Sequence, residues 1–352
     1  MMDRLAHGDR GISSWLKKSK AIISVTRLPG DASTRRYYRI KTREKNYVAM
    51  RTEPFSKQGI ALPFLAVQRH LYTHGVCVPD VYEVDAKRGF ILLEDLGDVT
   101  MLRRLQEASD SDIERTLYEQ AIDQLVHLQV KASTYENTPR IEAFDLRFDF
   151  EKLMWEVGFT IEHFYKRYLK RTINEPDLNI MRDGFSEIST FLEKLPVVLT
   201  HRDFHSRNIM ITQVSDKGGA GTVFSSNEKF VLIDFQDARM GPAVYDLASL
   251  LRDSYYQLEE CQVTRLIDYY LARWEAMTGN HVKKDVFIYS FDMMAIQRNF
   301  KAIGSFASFL NHRGDTTYLK YIGNTFENIR RTLLKYPKYS ALREGLFHYY
   351  YF

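Results

Sequence analysis

The chain has 352 residues, of which 45% are hydrophobic and 27% are charged, a composition typical of a globular protein with one large domain or two lobes. The net charge of +4 is too small to indicate a nucleic-acid-binding protein, and the two cysteines, Cys77 and Cys261, lack the spacing of a disulfide scaffold or a zinc site. Because the sequence shows neither a signal peptide nor an apolar run of membrane-spanning length, we expect a cytoplasmic protein that does not bind membranes. The composition does not specify an oligomeric state.

Residues 1–98 are predicted to form a small antiparallel sheet with one main helix. Short apolar runs rich in β-branched and aromatic residues predict strands at 22–25, 37–40, 47–50, 81–84 and 89–93. Helical periodicity covers residues 62–74 and stops at Gly75, a residue suited to a helix C-terminus. A short helix is expected at 12–20, a turn at 28–33, and a hinge at 94–98.

Residues 99–352 have a mainly helical pattern. Amphipathic helices are predicted at 111–131, 150–170 and 180–195, with more from residue 244 onward, and short strands at 197–200, 209–211 and 230–233. The glycine-rich segment 215–221 lacks the lysine and the following helix of a P-loop, so we interpret it as an exposed hairpin tip. The sequence therefore predicts an α+β protein with a small N-terminal β lobe (1–98) and a larger, mainly helical C-terminal lobe (99–352).

The segment 201–208 carries most of the residues that phosphoryl transfer requires. It matches the H-R-D-x-x-x-x-N loop of kinases, and Asp234 ends the later predicted strand at 230–233, where kinases place a metal-binding aspartate. Asp203 is the predicted base, which accepts or orients the hydroxyl proton of the acceptor. Asn208 and Asp234 offer an amide and a carboxylate oxygen, ligands that suit Mg²⁺. His205 is interpreted as a structural residue or as a contact to the acceptor.

Several segments together resemble the aminoglycoside phosphotransferase superfamily of small-molecule kinases. The segments that carry this resemblance are 30–39, 92–98, 201–208, 233–253 and 297–304. Within the superfamily the chain is most similar to the bacterial cell-wall sugar kinases, which phosphorylate N-acetylmuramate and N-acetylglucosamine at the anomeric hydroxyl for peptidoglycan recycling. The resemblance implies a bilobal, protein-kinase-like fold that binds ATP, Mg²⁺ and a small sugar.

The resemblance also implies a nucleotide site in the cleft. The loop at 30–37 takes the position that covers the phosphates, although it has a single glycine, and the hinge backbone would hydrogen-bond the adenine edge. Protein kinases carry a lysine where this chain has an arginine after Val48-Ala49-Met50; that arginine either binds phosphate in its place or points to solvent. The candidate nucleotide-binding residues are Gly30, Ser33, Arg35, Arg51, Glu94 and Leu96.

The acceptor site is expected to draw on residues at 252–253 and near residue 300. The candidates are Arg252, Asp253, Gln297, Arg298 and Lys301. A cation there would suit the lactyl carboxylate of N-acetylmuramate; alternatively, Arg298 and Lys301 lie on an exposed helix face. Asp246 is interpreted as a brace for the catalytic loop, and the tyrosines at 255–256, 269–270 and 349–351 as packing residues.

Two other functions remain open on the sequence alone. The same chemistry would serve an aminoglycoside, choline or an amino alcohol as acceptor, and such a cationic acceptor needs a pocket lined by carboxylates. The chain is alternatively a non-catalytic, kinase-fold scaffold that binds nucleotide, a class that usually lacks the base or a metal ligand.

Overall fold

The computed structural model describes residues 11–12, 15–16, 21–29, 35–55, 62–108, 110–136, 138–213 and 228–351. Its N-terminal part contains an antiparallel sheet of five strands in the order β1-β2-β3-β5-β4. The strands are β1 (Ile22–Arg27), β2 (Arg36–Thr42), β3 (Asn46–Arg51), β4 (Val81–Asp85) and β5 (Phe90–Glu94). Every strand predicted in this part is present. The helix predicted at 12–20 is helical at its described residues, and the rest of it lies outside the described ranges.

The two faces of this sheet bury different sets of side chains because residues alternate along each strand. Tyr38, Ala49 and Phe90 pack on the outer face, in a cluster that includes Trp15. Met50 faces the opposite way and joins the main core of the molecule. The inner face is therefore the one that looks toward the helical part of the chain.

Helix α1 (Pro63–Thr73) links the sheet to the helical part. Proline occupies its first turn, where a missing N–H costs no helical hydrogen bond, and the helix stops before Gly75, whose φ is +74°. Near its start, the Phe64 ring stacks on Phe235 with 5.1 Å between centroids. Phe235 directly follows Asp234, so this contact connects the sheet side of the molecule to the predicted metal ligand.

The helical part has nine main helices among the described residues. They are α2 (Met101–Glu107), α3 (Ser111–Lys131), α4 (Phe150–Thr160), α5 (Glu175–Leu192), α6 (Val244–Leu251), α7 (Glu260–Thr278), α8 (Lys284–Arg313), α9 (Ile322–Leu334) and α10 (Ser340–Tyr351). Helix α4 continues as π-helical turns over Ile161–Tyr168. Helix α5 begins earlier than predicted because the Asn174 side chain accepts a hydrogen bond from the Asp177 amide and caps it. Helix α2 was not predicted.

Two small antiparallel pairs of strands frame the catalytic segment. Strand β6 (Val197–Thr200) pairs with β9 (Arg239–Pro242), and β7 (Ile209–Gln213) pairs with β8 (Glu228–Leu232). The predicted hairpin tip at 215–221 lies outside the described residues. The predicted α+β architecture, with a small sheet and a larger helical part, is confirmed. Within the described ranges, no helix has the length and apolar character needed to cross a membrane.

Candidate active site

A cavity of about 670 Å³ lies between the inner face of the five-stranded sheet and the helical part. Eight of the residues predicted from sequence line it: Arg35, Glu94, Leu96, Asp203, Asn208, Asp234, Arg298 and Lys301. Gly30 and Ser33 lie outside the described residues. We call the half beside the sheet and residues 94–97 the nucleotide half, and the half beside helix α8 the acceptor half, after the roles that the sequence predicts for their residues.

The catalytic loop begins at the end of β6 and is held by Asp246 from helix α6. The two carboxylate oxygens of Asp246 accept hydrogen bonds from the backbone amides of His201, at 2.6 Å, and Arg202, at 2.9 Å. Arg202 has a φ of +82°, a left-handed conformation that costs a non-glycine residue about 1–2 kcal/mol. The paired hydrogen bonds fix this turn, which agrees with the bracing role expected for Asp246.

Asp203 lies at the junction of the two halves of the cavity, facing Lys301. Its Oδ1 is 3.8 Å from Lys301 Nζ, and its backbone carbonyl accepts a hydrogen bond of 3.0 Å from Asn208 Nδ2. Burial by itself raises the pKa of the Asp203 carboxyl, but the positive charges of Lys301, Arg202 and Arg298 hold it below the ordinary value. Asp203 is therefore ionised at neutral pH, as an acceptor of a hydroxyl proton must be.

Asn208 and Asp234 are brought together by the end of β8. The Ile233 amide donates a 3.0 Å hydrogen bond to the Asn208 carbonyl, which places the next residue, Asp234, beside the loop. Gln236 Nε2 donates to Asp234 Oδ1 at 2.7 Å. Burial raises the pKa of the Asp234 carboxyl, so this carboxylate gains more from a nearby cation than an exposed one would. An amide oxygen and one carboxylate fit Mg²⁺, which keeps several waters and needs few protein ligands.

The nucleotide half is an apolar slot with charged residues at its rim. Its apolar wall consists of Leu28, Val48, Pro79, Leu93, Leu96, Met210 and Ile233. At the rim, the Arg39 guanidinium bonds Asp95 at 2.8 Å and Asp98 at 2.9 Å, which ties β2 to residues 95–98. Arg35 is at the other end of the slot, where its charge acts on Asp234. The apolar wall suits a flat aromatic base, and the positive charge of Arg35 suits a phosphate.

The structure does not bring Arg51 to the cavity. Strand alternation puts Arg51 on the same face as Ala49, the outer face, and its guanidinium carbon lies 6.0 Å from the Phe90 ring centroid. Val48, one position away from Ala49, is the residue of this strand that lines the slot. Of the two readings of Arg51, a cation replacing the usual lysine and an outward-facing side chain, the geometry favours the second.

One face of helix α8 forms the wall of the acceptor half. The lining residues recur at helical spacing, as Arg298, Lys301, Ala302, Ser305, Phe306 and Phe309. The Lys301 side chain is only 19% exposed, so the alternative of an open, solvated helix face does not describe it. Gln297 lies on another face of the helix, where its Nε2 donates to the Leu153 carbonyl at 2.9 Å.

The loop after helix α6 and the residue Tyr318 complete the acceptor half. The guanidinium carbon of Arg207 lies 4.9 Å from the Tyr255 ring centroid and 5.3 Å from that of Tyr318. His205 also lines this half, and burial together with the charge of Arg298 lowers the pKa of its imidazole to about 3. Tyr255 packs against Phe306 and Tyr321, as interpreted from the sequence, and it also lines the cavity.

Arg252 and Asp253 support the site from behind rather than lining it. The Arg252 guanidinium pairs with both carboxylate oxygens of Glu260, at 2.6 and 2.9 Å. Asp253 accepts hydrogen bonds from the Ser206 amide at 3.0 Å and from the Tyr255 amide at 2.9 Å. With these partners, neither side chain reaches the cavity, and the same holds for Gln297.

Sequence reasoning missed several lining residues, among them Arg207, Ser254, Ser305, Phe306, Phe309 and Tyr318. Extending the helical spacing of Arg298 and Lys301 along α8 would have found Ser305 and Phe309. No sequence signal places Tyr318 there, because it comes from a connection after α8 that folds back onto Phe306, with 5.7 Å between ring centroids.

Comparisons with known proteins agree with this geometry. The sequence pattern of a phosphotransferase enzyme family matches residues 24–279. The chain is 30% identical to the N-acetylmuramate/N-acetylglucosamine kinase of Neisseria meningitidis serogroup B, over 94% of this chain and 92% of the relative. Among solved structures, choline kinase LicA from Streptococcus pneumoniae superposes with a TM-score of 0.61 at 15% identity, covering 94% of this chain and 100% of that one. ADP-bound aminoglycoside phosphotransferase APH(2'')-Ib gives a TM-score of 0.58 at 15% identity, covering 96% and 99%.

Proposed function

Because this chain belongs to the phosphotransferase enzyme family, we propose that it transfers the γ-phosphoryl group of ATP to the anomeric hydroxyl of N-acetylmuramate and N-acetylglucosamine. The sugar 1-phosphates that result are suited to nucleotide-sugar synthesis, so the reaction would serve peptidoglycan recycling. ATP is the donor we propose because the apolar slot suits a purine base and Arg35 lies where its phosphates would extend. Since ATP is made and held in the cytoplasm, we propose that compartment for the reaction.

The observation that carries the choice of acceptor is the charge of the acceptor half. Its wall contains the cations Arg207, Arg298 and Lys301. Among the described residues, the carboxylates that line the cavity are Asp203, Asp234 and Asp237 at the catalytic segments and Glu94 and Asp95 beside the sheet. A cationic aminoglycoside or choline would meet like charges there, which is unfavourable in a partly buried site. An anionic sugar meets opposite charge there instead, and a neutral sugar meets hydrogen-bond donors and aromatic rings without like-charge repulsion. The retention of Asp203 with both metal ligands disfavours the non-catalytic scaffold.

In the proposed mechanism, Asp203 orients the anomeric hydroxyl and accepts its proton. A bond forms between that oxygen and the γ-phosphorus of ATP, while the bond from the γ-phosphorus to the bridging oxygen breaks and ADP leaves. Lys301, next to Asp203, lies where it would offset negative charge on the transferring group. Asn208 and Asp234 would hold Mg²⁺, which when bound neutralises charge on the nucleotide phosphates.

We also propose that the two parts of the chain, 1–98 and 99–352, act as lobes hinged at 94–98. Arg39 supports this, since it joins β2 to Asp95 and Asp98 and so would couple the sheet to the hinge. In this arrangement the hinge backbone from Glu94 to Leu96 would meet the adenine edge.

The test is ADP release with ATP and Mg²⁺ against N-acetylmuramate, N-acetylglucosamine, choline and an aminoglycoside. We expect turnover on the two N-acetylated sugars, and NMR of the product should place the phosphate on the anomeric oxygen. Asp203→Asn should lower kcat by about 100- to 10,000-fold while ATP binding stays within about twofold, because only the base is lost. Asp183→Asn, at an exposed position of helix α5, is the control and should keep full activity. Turnover confined to choline or the aminoglycoside would overturn the proposed acceptor.

A further inference from the structure

Three buried side chains at the acceptor end of the cavity have polar atoms without a hydrogen-bond partner among the described residues. They are Nε and Nη1 of Arg298, the hydroxyl of Ser254 and Nδ1 of His205. The three residues are 6%, 2% and 9% exposed, and all of them line the cavity. Leaving a buried polar group unpaired costs about 1–3 kcal/mol, so native structures rarely keep such groups together without a function for them. A polar ligand group bound in the cavity that these three residues line would supply the missing partners.

The cluster is rigidly attached to the catalytic loop. Asp253 accepts hydrogen bonds from the Ser206 amide at 3.0 Å and the Tyr255 amide at 2.9 Å, which holds Ser254, the residue between Asp253 and Tyr255, in place. Arg298 is one helical turn before Lys301, whose ammonium faces Asp203. A group bound by the cluster therefore sits beside the base, at a position that does not depend on the nucleotide half of the cavity.

The charges around Arg298 indicate what kind of group would bind. Its positive charge already acts on the carboxylates of Asp203, Asp246 and Asp253, so the site does not require a further anion. Its unpaired N–H groups and the Ser254 hydroxyl are donors, whereas a neutral imidazole can accept at Nδ1. Donors beside one acceptor match a secondary amide, which offers a carbonyl oxygen and an N–H.

We propose that Arg298, Ser254 and His205 bind the 2-acetamido group of the sugar. Arg298 and Ser254 donate to the acetamido carbonyl, and His205 Nδ1 accepts from the amide N–H. The geometry is consistent, because the acetamido group is attached to C2, next to the anomeric carbon whose hydroxyl faces Asp203. This inference rests on the proposed function and goes further, since it assigns the residues that distinguish N-acetylated sugars from plain hexoses.

The experiment compares two sugars that differ at C2 alone, N-acetylglucosamine as the substrate and glucose as a competitor. In Ser254→Ala the KM for N-acetylglucosamine should rise about tenfold, the effect of losing one hydrogen bond in a buried site, while the inhibition constant of glucose stays within about twofold. Arg298→Lys keeps the charge but removes the planar fork of donors. It should also raise the KM for N-acetylglucosamine and leave the inhibition constant of glucose nearly unchanged. Ser290→Ala is the matched control, because Ser290 is a buried serine of helix α8, the helix of Arg298, and its hydroxyl is bonded to the Val286 carbonyl, away from the cavity.

Each outcome decides between the alternatives. If Ser254→Ala weakens the binding of N-acetylglucosamine and of glucose equally, the inference is overturned. The Ser254 hydroxyl would then contact a portion of the sugar ring that both sugars have in common. A loss confined to N-acetylmuramate would also overturn it and assign the cluster to the lactyl carboxylate. If the wild-type protein turns over neither N-acetylated sugar, the proposed function fails and the inference with it. If the wild-type protein turns over the N-acetylated sugars but the variants weaken the binding of N-acetylglucosamine and glucose equally, only the inference is refuted and the proposed function stands.

Discussion

The two halves of the cavity are built on different principles. The nucleotide half presents apolar side chains from β3, β5 and the ends of β7 and β8, with Arg35 and Arg39 at its rim. The acceptor half presents cations, tyrosines and buried polar atoms that lack partners within the described structure. An apolar slot selects a flat base by shape and discriminates weakly among bases, whereas a buried polar cluster rejects any ligand that leaves it unpaired. We therefore expect the protein to discriminate weakly among nucleotides and strongly among sugars.

The strongest way to test this division is at the residue where the halves meet. Lys301→Gln removes a positive charge 3.8 Å from the Asp203 carboxylate, and we expect kcat to fall by about 100-fold while the KM values of both substrates change by less than about threefold. Steady-state kinetics with each substrate varied in turn provide the measurement. The control is Lys166→Gln, on an exposed surface where Lys166 pairs with Glu162. A raised sugar KM at unchanged kcat would instead make Lys301 a part of sugar binding.

The nucleotide half alone is tested by two arginines. Arg35→Gln should raise the KM for ATP about tenfold, because a charge next to the phosphates is lost, and should leave the KM for the sugar unchanged. Arg51→Gln should change neither constant by more than about twofold, because Arg51 is on the outer face of the sheet. If Arg51→Gln raises the KM for ATP as much as Arg35→Gln does, Arg51 contacts the nucleotide, and its assignment to the outer face of the sheet is contradicted.

The smallest expected effect on turnover concerns the support of the acceptor wall. A Cβ added at Gly304 of helix α8 would lie 2.7 Å from the Thr160 Cα, so Gly304→Ala should force α4 and α8 apart and destabilise the fold by about 1–3 kcal/mol. Gly158→Ala in α4 meets nothing within 4 Å and should stabilise by about 0.5–1 kcal/mol. Thermal unfolding of both variants supplies the measurement. A Gly304→Ala protein as stable as the wild type would contradict the close approach of these helices.

The predictability of the site from sequence follows from how its residues are arranged along the chain. Asp203 and Asn208 lie in one short loop between predicted strands, so their proximity needed no knowledge of tertiary structure. The acceptor half joins residues from the loop after α6, from α8 and from the connection that follows it, and such contacts are set by helix packing. Arg51 illustrates a narrower limit: the alternation along β3 is visible in the sequence, but which set of residues faces the cleft depends on the sheet's neighbours.

The fold illustrates the same point. Strand positions and helix α3 follow from local patterns, because apolar spacing and capping residues act within a few positions. Strand β9 has only four residues, including a glycine and a proline, and it exists because β6 provides a partner for it. Pairing of that kind cannot be derived from the segment itself.

The spacing of the lining residues along α8 has an evolutionary consequence. Every third or fourth position of one helix face contacts the acceptor space, while the positions between them pack against other helices. Substitutions at Ser305 or Phe309 would reshape the space for the sugar while leaving Asp203, Asn208 and Asp234 where they are. A lineage carrying this scaffold would thus be able to acquire new acceptors by single replacements on one helix, each step passing through an enzyme that still binds nucleotide.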